Sequence, residues 1–174
     1  MTKRVLLDTG VIISYCGRHE DSFRETKAQK LIEYLKANSF DIFYSQRTQN
    51  ELKVKPSEVR EKFLSECKLA AYYIGNETCD KIEGTWENIG SLWDNESDGE
   101  FGLSERINIW LKKERDLQDR GILLDAIKNG CVYFIHENPK DYSKIPTDLF
   151  DDFDLKCVNL LNIDIKDFDS IFNT

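Results

Sequence analysis

The sequence predicts an α/β protein, specifically a three-layer α/β/α sandwich around a central, mainly parallel sheet. Short apolar runs rich in β-branched residues, which are typical of buried strands, alternate along the chain with stretches whose apolar residues recur at helical spacing. Strands that alternate with helices form parallel sheets with helices packed on the faces. The chain has 174 residues, enough for one well-filled core. We therefore expect a single domain over residues 1–174.

The first run, residues 4–13, is apolar and rich in β-branched residues, and it predicts a buried central strand. Asp8 is the one acid in this run. A carboxylate at the carboxyl end of such a strand lies where open α/β sheets bind ligands. Asp is also a common cap of a following helix. Asp8 by itself therefore leaves a functional site and a helix cap equally open.

The next elements alternate in type. Apolar spacing predicts a helix over residues 22–38, a β-prone run predicts a strand over 41–44, and Ser45 is a suitable cap for a short helix through Leu52. A further helix is expected from Ser57. Its predicted inward residues are Val59, Phe63, Leu64, Cys67 and Ala71.

The middle of the chain, residues 75–103, is acidic and punctuated by glycines, with Trp86 and Trp93 as its main apolar residues. We interpret it as an irregular insertion in preference to a partner-docking loop, since loops vary freely. Regular patterns return beyond it. They predict helices over 104–113 and 117–129 with Gly130 as a stop, buried strands over 131–135 and 155–160, and a short terminal helix over 163–172.

Charge and composition restrict the function classes. The net charge is −8, but residues 77–100 carry −7 and residues 141–174 carry −5, which leaves about +4 for the rest. A nucleic-acid surface is therefore not excluded, although a strongly basic stripe is absent. No apolar stretch approaches the ~18 residues of a membrane span, and no signal peptide precedes the first strand, so we expect a cytoplasmic protein without membrane contact. The five scattered cysteines include no C-x-x-C pair, which argues against a disulfide framework or a zinc site.

Several acids are expected to meet near the end of the first strand. Asp116 and Asp119 lie three residues apart around a helix start and can share one face, and Glu51 lies on the short helix after the second strand. Carboxylates gathered beside Asp8 would repel each other, and a divalent cation is the usual relief. Because the set holds no His or Cys, the expected ion is Mg²⁺ or Mn²⁺.

Four motifs in this order resemble the PIN-domain nucleases. They are V-L-L-D-T-G around Asp8, S-x-x-x-x-x-E from Ser45 to Glu51, D-x-x-D-x-x-x-L-x-x-A from residue 116 to 126, and G-C-V-Y-F-I from residue 130. The resemblance covers residues 4 to about 160, without the acidic insertion. It implies a PIN-like α/β/α sandwich and a metal-dependent ribonuclease, a class that includes the toxins of bacterial toxin-antitoxin pairs.

The resemblance also implies roles for residues and partners. Asp8, Glu51 and Asp119 would be catalytic metal ligands, and Asp116 an accessory acid at the metal. The implied partners are RNA, mainly single-stranded, an antitoxin protein, and a second copy of the chain in a homodimer. Candidate phosphate contacts are Arg47, Lys53 and Arg120, for which a solvated surface charge is the alternative interpretation.

One position departs from the family pattern. After the late strand the family has Thr or Ser, a variable residue and Asp, whereas this chain has His136, Glu137 and Asn138. Asn138 brings a neutral oxygen ligand, which should weaken a second metal site more than the first. Glu137 or Asp141 is a candidate replacement. His136 itself is expected in a surface turn.

Two function classes follow. The first is a Mg²⁺- or Mn²⁺-dependent endoribonuclease that hydrolyses phosphodiester bonds of RNA. The alternative is a catalytically weakened PIN-like domain that binds RNA or protein. An aspartic protease, suggested by D-T-G at residues 8–10, would need an all-β chain, and a haloacid dehalogenase-type phosphatase would need an acid in place of Gly10.

Asp125 faces away from Asp119 on the same predicted helix and is expected to be a surface or cap-side acid.

Overall fold

A computed structural model describes residues 2–17, 22–52, 58–70, 117–138, 142, 151 and 153–172, with the side chains of 117, 118 and 120 excepted. The acidic insertion at 75–103, with Trp86 and Trp93, and the predicted helix at 104–113 lie outside this part of the chain. In chain order the strands are β1 (Arg4–Leu7), β2 (Asp41–Tyr44), β3 (Lys68–Leu69), β4 (Tyr133–His136) and β5 (Lys156–Asn159). The α-helices are α1 (Thr9–Tyr15), α2 (Ser22–Ala37), α3 (Gln46–Leu52), α4 (Glu58–Glu66), α5 (Leu117–Lys128) and α6 (Phe168–Phe172). Two 3₁₀ turns, Leu160–Asn162 and Ile165–Asp167, connect β5 to α6.

The five strands form one parallel sheet in the order β3-β2-β1-β4-β5. Strand β1 is central, and its Leu7 is in register with Tyr44 of β2 and with Ile135 of β4. The first residues beyond these three strands therefore lie close to one level at the carboxyl edge of the sheet. These residues carry the polar side chains discussed below.

Helices cover both faces of the sheet, which confirms the predicted three-layer α/β/α fold. Strand residues alternate between two buried clusters, as the two-residue period of a strand requires. One face, with Leu6, Phe43 and Phe134, packs against α5. The other face, with Leu7 and Ile135, packs against α1, α2, α4 and α6. Arg4 at the start of the central strand is exposed, but Val5, Leu6 and Leu7 are buried because apolar side chains leave the strand on both faces.

The first apolar run divides at Asp8 into a strand and a helix. The prediction of a strand was correct for Arg4–Leu7 but wrong for residues 9–13, which begin α1. Val11 and Ile12 of α1 are completely buried and pack on the same side of the sheet as Leu7. The first part of the run is therefore apolar because it is a buried strand, and the second part because it is a buried helix. A short apolar run does not separate a buried strand from a buried helix by period alone.

The helix predicted from Ser57 differs from the structure at its inward face and at its end. The buried positions of α4 are Arg60, Phe63 and Leu64, at helical spacing, and this orientation leaves Val59 56% exposed. The helix ends at Glu66, and Lys68–Leu69 then forms the edge strand β3. Cys67 is half-buried between the two elements, and Ala71 lies outside the described residues.

The other predicted elements within the described residues agree with the structure within two residues at their ends, except the terminal helix predicted over 163–172, which is α-helical only over Phe168–Phe172 and follows the 3₁₀ turn Ile165–Asp167. Helix α5 ends before Gly130, which has φ +61°, a conformation that favours glycine. Strand β5 lies at a sheet edge, as predicted. None of the helices in the described ranges is long and apolar enough to cross a membrane.

Candidate functional site

The strand order predicts a ligand-binding crevice at the carboxyl edge of the sheet. From β1 the chain builds outward to β2 and β3, and it then returns to add β4 and β5 on the other side of β1. Parallel α/β sheets bind ligands where the order reverses in this way, here between β1 and β4. Asp8 is the first residue beyond β1 at this point, and its backbone N–H donates to the carbonyl of Ile135 at 2.9 Å. The ladder between β1 and β4 thus fixes the backbone from which the Asp8 carboxylate projects.

The Asp8 carboxylate is buried among other acids. The residue is 7% exposed, and its pKa is raised from 3.8 to about 7. Burial is the largest cause, because water no longer solvates the charge, and the carboxylates of Asp119 and Glu51 add negative potential. Acids from α3 and α5 therefore both act on the carboxylate at the β1–α1 junction.

Asp8 occupies the N-cap position of α1 but its side chain does not form a capping hydrogen bond. Its backbone is extended, with φ −69° and ψ 157°. The N–H groups of Thr9 and Gly10 are near enough to lower the pKa of the carboxyl, which offsets only part of the increase caused by burial. Asp8 is therefore a helix cap by its backbone position only. Its carboxylate does not cap α1 and is available for another role.

Glu51 is held by a hydroxyl from α1. The Thr9 hydroxyl donates to Glu51 Oε2 at 2.5 Å, and the hydroxyl oxygens of Thr9 and Thr48 are hydrogen-bonded at 3.1 Å. Thr48 is completely buried, whereas Glu51 is exposed. The residue that follows Asp8 in the chain thus orients a second acid of the same crevice.

Asp119 lies in the first turn of α5, beside a tyrosine that the sequence patterns did not single out. The Tyr142 hydroxyl donates to the backbone carbonyl of Asp119 at 3.3 Å. Its buried ring contacts His136, at 4.6 Å between centroids, and Phe134, at 4.9 Å. Burial and the charges of Asp8 and Asp119 raise the pKa of Tyr142 well above its ordinary value. Tyr142 therefore forms an uncharged wall of the crevice.

Two corrections concern polar residues that were expected at the surface. His136 is the last residue of β4 and is buried, and burial lowers its pKa to about 4, so the ring is neutral near pH 7. Asp125 is also buried, and it accepts a hydrogen bond from the Ser45 hydroxyl at 2.5 Å. Burial raises the pKa of Asp125 to about 6 although that hydrogen bond and nearby Arg47 oppose the increase. Both surface predictions were wrong because partners distant in the sequence cover these side chains.

Glu137, a candidate replacement for the missing carboxylate, is buried and bonded to α1. Its Oε2 accepts a hydrogen bond from the fully buried Ser14 hydroxyl at 2.6 Å. Its Cβ is 3.6 Å from the position that a Cβ on Gly10 would take, and Asp8 Oδ2 is equally far from that position. Glu137 therefore lies beside the crevice, with its carboxylate directed to α1. Asn138, which follows it, is half-buried.

The other predicted site residues are only partly described. Arg47 of α3 lies across α5 at Gly121. Asp116, Asp141 and Lys53 lie outside the described residues, as does the side chain of Arg120. Their roles stay predictions.

The donor chemistry of the crevice fits a hard divalent cation. Asp8, Glu51 and Asp119 offer only carboxylate oxygens, the ligands that Mg²⁺ and Mn²⁺ prefer. The high pKa of Asp8 reflects a buried carboxylate under like-charge repulsion, which a cation would relieve. Within the described ranges no three Asp, Glu, His or Cys side chains are close enough together to hold one ion in this conformation. An ion held there would take ligands from fewer than three described side chains, or the acids would move closer on binding it.

Comparisons with protein-family models, with curated proteins and with solved structures found no match.

Proposed function

We propose that this protein is a Mg²⁺- or Mn²⁺-dependent endoribonuclease. The observation that carries the proposal is the position of Asp8, which is buried at the carboxyl end of the central strand and under the negative potential of Asp119 and Glu51. A buried acid with a strongly raised pKa in a cleft is a physical signature of a functional site. The choice of RNA as substrate comes from the resemblance to PIN-domain nucleases.

The reaction would be hydrolysis of a phosphodiester bond. Oxygen from water forms a new bond to phosphorus, the bond from phosphorus to one ribose oxygen breaks, and that oxygen takes up a proton. A divalent cation would supply charge stabilisation at the phosphate and a water nucleophile at neutral pH. Asp8 and Asp119 would hold the cation from the sheet edge and from α5. Glu51 would complete the set, with its orientation fixed by the Thr9 hydroxyl.

A direct test uses the full chain and a fluorophore-labelled, unstructured RNA. We expect cleavage in Mg²⁺ or Mn²⁺, none in EDTA, and none by a folded Asp8→Asn or Asp119→Asn variant. Glu58→Gln, at the exposed start of α4, is the matched control and should cleave as the unmodified chain does. Absence of metal-dependent cleavage by the folded protein, or full activity in Asp8→Asn, would overturn the proposal.

Thr9 allows a finer test of the site. Thr9→Val keeps the shape of the side chain but removes the hydroxyl that holds Glu51, so we expect slower cleavage. Thr9→Ser keeps the hydroxyl and should retain most of the activity. Equal rates in the two variants would show that Glu51 does not need this hydrogen bond.

The second candidate function is a PIN-like binding module with weakened activity. It is favoured by Asn138 at the position of a family acid and by the absence of a three-residue cation cluster among the described side chains. Binding of labelled RNA, or of a partner protein, without cleavage in either metal would support this candidate over the enzyme. The antitoxin and homodimer partners implied by the resemblance stay predictions.

A further inference from the structure

A buried serine joins two helices that carry acids of the site. Ser45 is completely buried between the end of β2 and the start of α3. Its hydroxyl donates to Asp125 Oδ2 of α5 at 2.5 Å, and its oxygen accepts the backbone N–H of Arg47 at 3.0 Å. A single side chain therefore satisfies an N–H at the start of α3 and also ties that helix to α5.

A glycine inside α5 makes room for an arginine of α3. A Cβ built on Gly121 would stand 2.0 Å from Arg47 Nε and 2.3 Å from its Cζ, distances that atoms do not adopt. Glycine in a helix interior costs stability relative to alanine, and at this position it leaves room for the Arg47 side chain. Asp125 lies four residues after Gly121, on the same side of α5. The charge of Arg47 also acts on Asp125, whose pKa it lowers.

These contacts lie next to the acids of the crevice. Glu51 is four residues after Arg47 and thus on the same side of α3, and Asp119 is two residues before Gly121 in α5. From these two helices, Asp119 and Glu51 both raise the pKa of Asp8. Contacts between the helices at this level therefore fix how the two acids are placed relative to each other.

We propose that Ser45, Arg47, Gly121 and Asp125 form an α3–α5 lock that positions Glu51 and Asp119 for a divalent cation. This inference rests on the proposed function and adds four positioning residues to it. Arg47 acts here through the helix it holds, in place of the phosphate contact predicted from the sequence. Residues that do not bind a metal themselves can still set its affinity, because their packing and hydrogen bonds hold the ligands in the required geometry.

A double-mutant cycle tests the lock. The variants are Gly121→Ala, Arg47→Ala and the two combined, each in the full chain, with Mn²⁺ affinity measured by electron paramagnetic resonance and stability by urea unfolding. We expect Gly121→Ala alone to weaken Mn²⁺ binding about tenfold or more, because the new methyl group displaces Arg47. In the Arg47→Ala background the same methyl meets no guanidinium, so it should cause little further loss. An equal loss in both backgrounds would overturn the steric basis of the lock.

Kinetics separate positioning from substrate contact and from a purely structural role. For Arg47→Ala and Ser45→Ala we expect lower kcat and weaker Mn²⁺ binding, with the KM for RNA unchanged. Asp125→Asn keeps an acceptor for the Ser45 hydroxyl and should retain more activity than Asp125→Ala. A raised KM with a reduced salt dependence in Arg47→Ala would assign Arg47 to phosphate binding and overturn its positioning role.

The two proposals fail in different ways. If the lock variants are less stable but bind Mn²⁺ and cleave like the unmodified chain wherever they are folded, the lock is structural only and the inference falls while the proposed function stands. If the unmodified chain neither binds Mn²⁺ nor cleaves RNA, the proposed function falls and the positioning role with it.

Discussion

Asp8 should make the metal-free protein less stable as the pH rises toward neutrality. Its pKa is raised from 3.8 to about 7 in the folded state, so the folded chain keeps a proton that the unfolded chain releases above pH 4. The group therefore contributes stability that is fully present below pH 3.8 and is lost as the pH rises through 7. A pKa difference of about three corresponds to about 4 kcal/mol. For a small domain this is a large part of the total stability.

The perturbation is Asp8→Asn, which keeps the shape of the side chain and removes its charge. Urea unfolding from pH 4 to 8 in EDTA measures the effect. The free energy of unfolding of the unmodified chain should fall relative to that of Asp8→Asn across this range, with a difference approaching about 4 kcal/mol at pH 8. Glu58→Gln controls for loss of one exposed carboxylate and should follow the profile of the unmodified chain.

Parallel profiles for the unmodified chain and Asp8→Asn would refute the reasoning, since they would mean that Asp8 is neither desolvated nor repelled. A second measurement concerns the cation. Under the proposed function an ion would compete with the proton on Asp8, so Mn²⁺ should stabilise the unmodified chain more at pH 8 than at pH 5. At a hundredfold excess over its Kd the gain is about 2.7 kcal/mol. Asp8→Asn should lose most of this gain.

Three further predictions concern stability alone. Ser14→Ala removes the donor to buried Glu137 and should cost about 1–3 kcal/mol in urea unfolding, whereas Ser65→Ala, an exposed hydroxyl, should cost almost nothing. His136, whose pKa is lowered from 6.5 to about 4, resists protonation when folded, so its contribution should grow by about 3 kcal/mol as the pH rises from 4 to 6.5. The difference between His136→Gln and the unmodified chain should widen over that range, and a constant difference would contradict the burial argument. Gly130→Ala should lower the free energy of unfolding by about 1–2 kcal/mol because φ is +61° there, and an unchanged thermal midpoint would contradict this strain.

Most of the fold could be predicted from local pattern. Strand β2 has the predicted bounds, and α2 and α5 each end one residue before the predicted end. Strand β3 was missed because it is two residues long and both are exposed, so neither period nor burial marks it in the sequence. The order of the strands is a property of long-range pairing, and the alternation of strands and helices predicts only that the sheet is parallel.

Residues of the candidate site could be singled out from the sequence only where they lie next to a recognisable element. Asp8 and Glu51 follow strand-like runs at short distance, and Asp119 lies in the first turn of a helix whose apolar spacing is clear in the sequence. The contact between Ser45 and Asp125 joins residues 80 positions apart, and helical periodicity alone places Asp125 away from Asp119 without indicating what covers it. Whether a polar residue is buried depends on a partner that satisfies it, and that partner is supplied by tertiary structure.

Three side chains near Asp8 hold its acidic neighbours, or the helices that carry them, in place. They do so although the negative charges of Asp119 and Glu51 raise the pKa of Asp8. Thr9 restrains Glu51, Tyr142 contacts the Asp119 backbone, and Ser45 joins α3 to α5 through a different acid. None of these three contacts neutralises the Asp8 carboxylate, whose pKa stays near 7. This network fixes the neighbours of Asp8 and leaves the pKa of its carboxyl raised, and that charge arrangement is the basis on which we propose a bound cation.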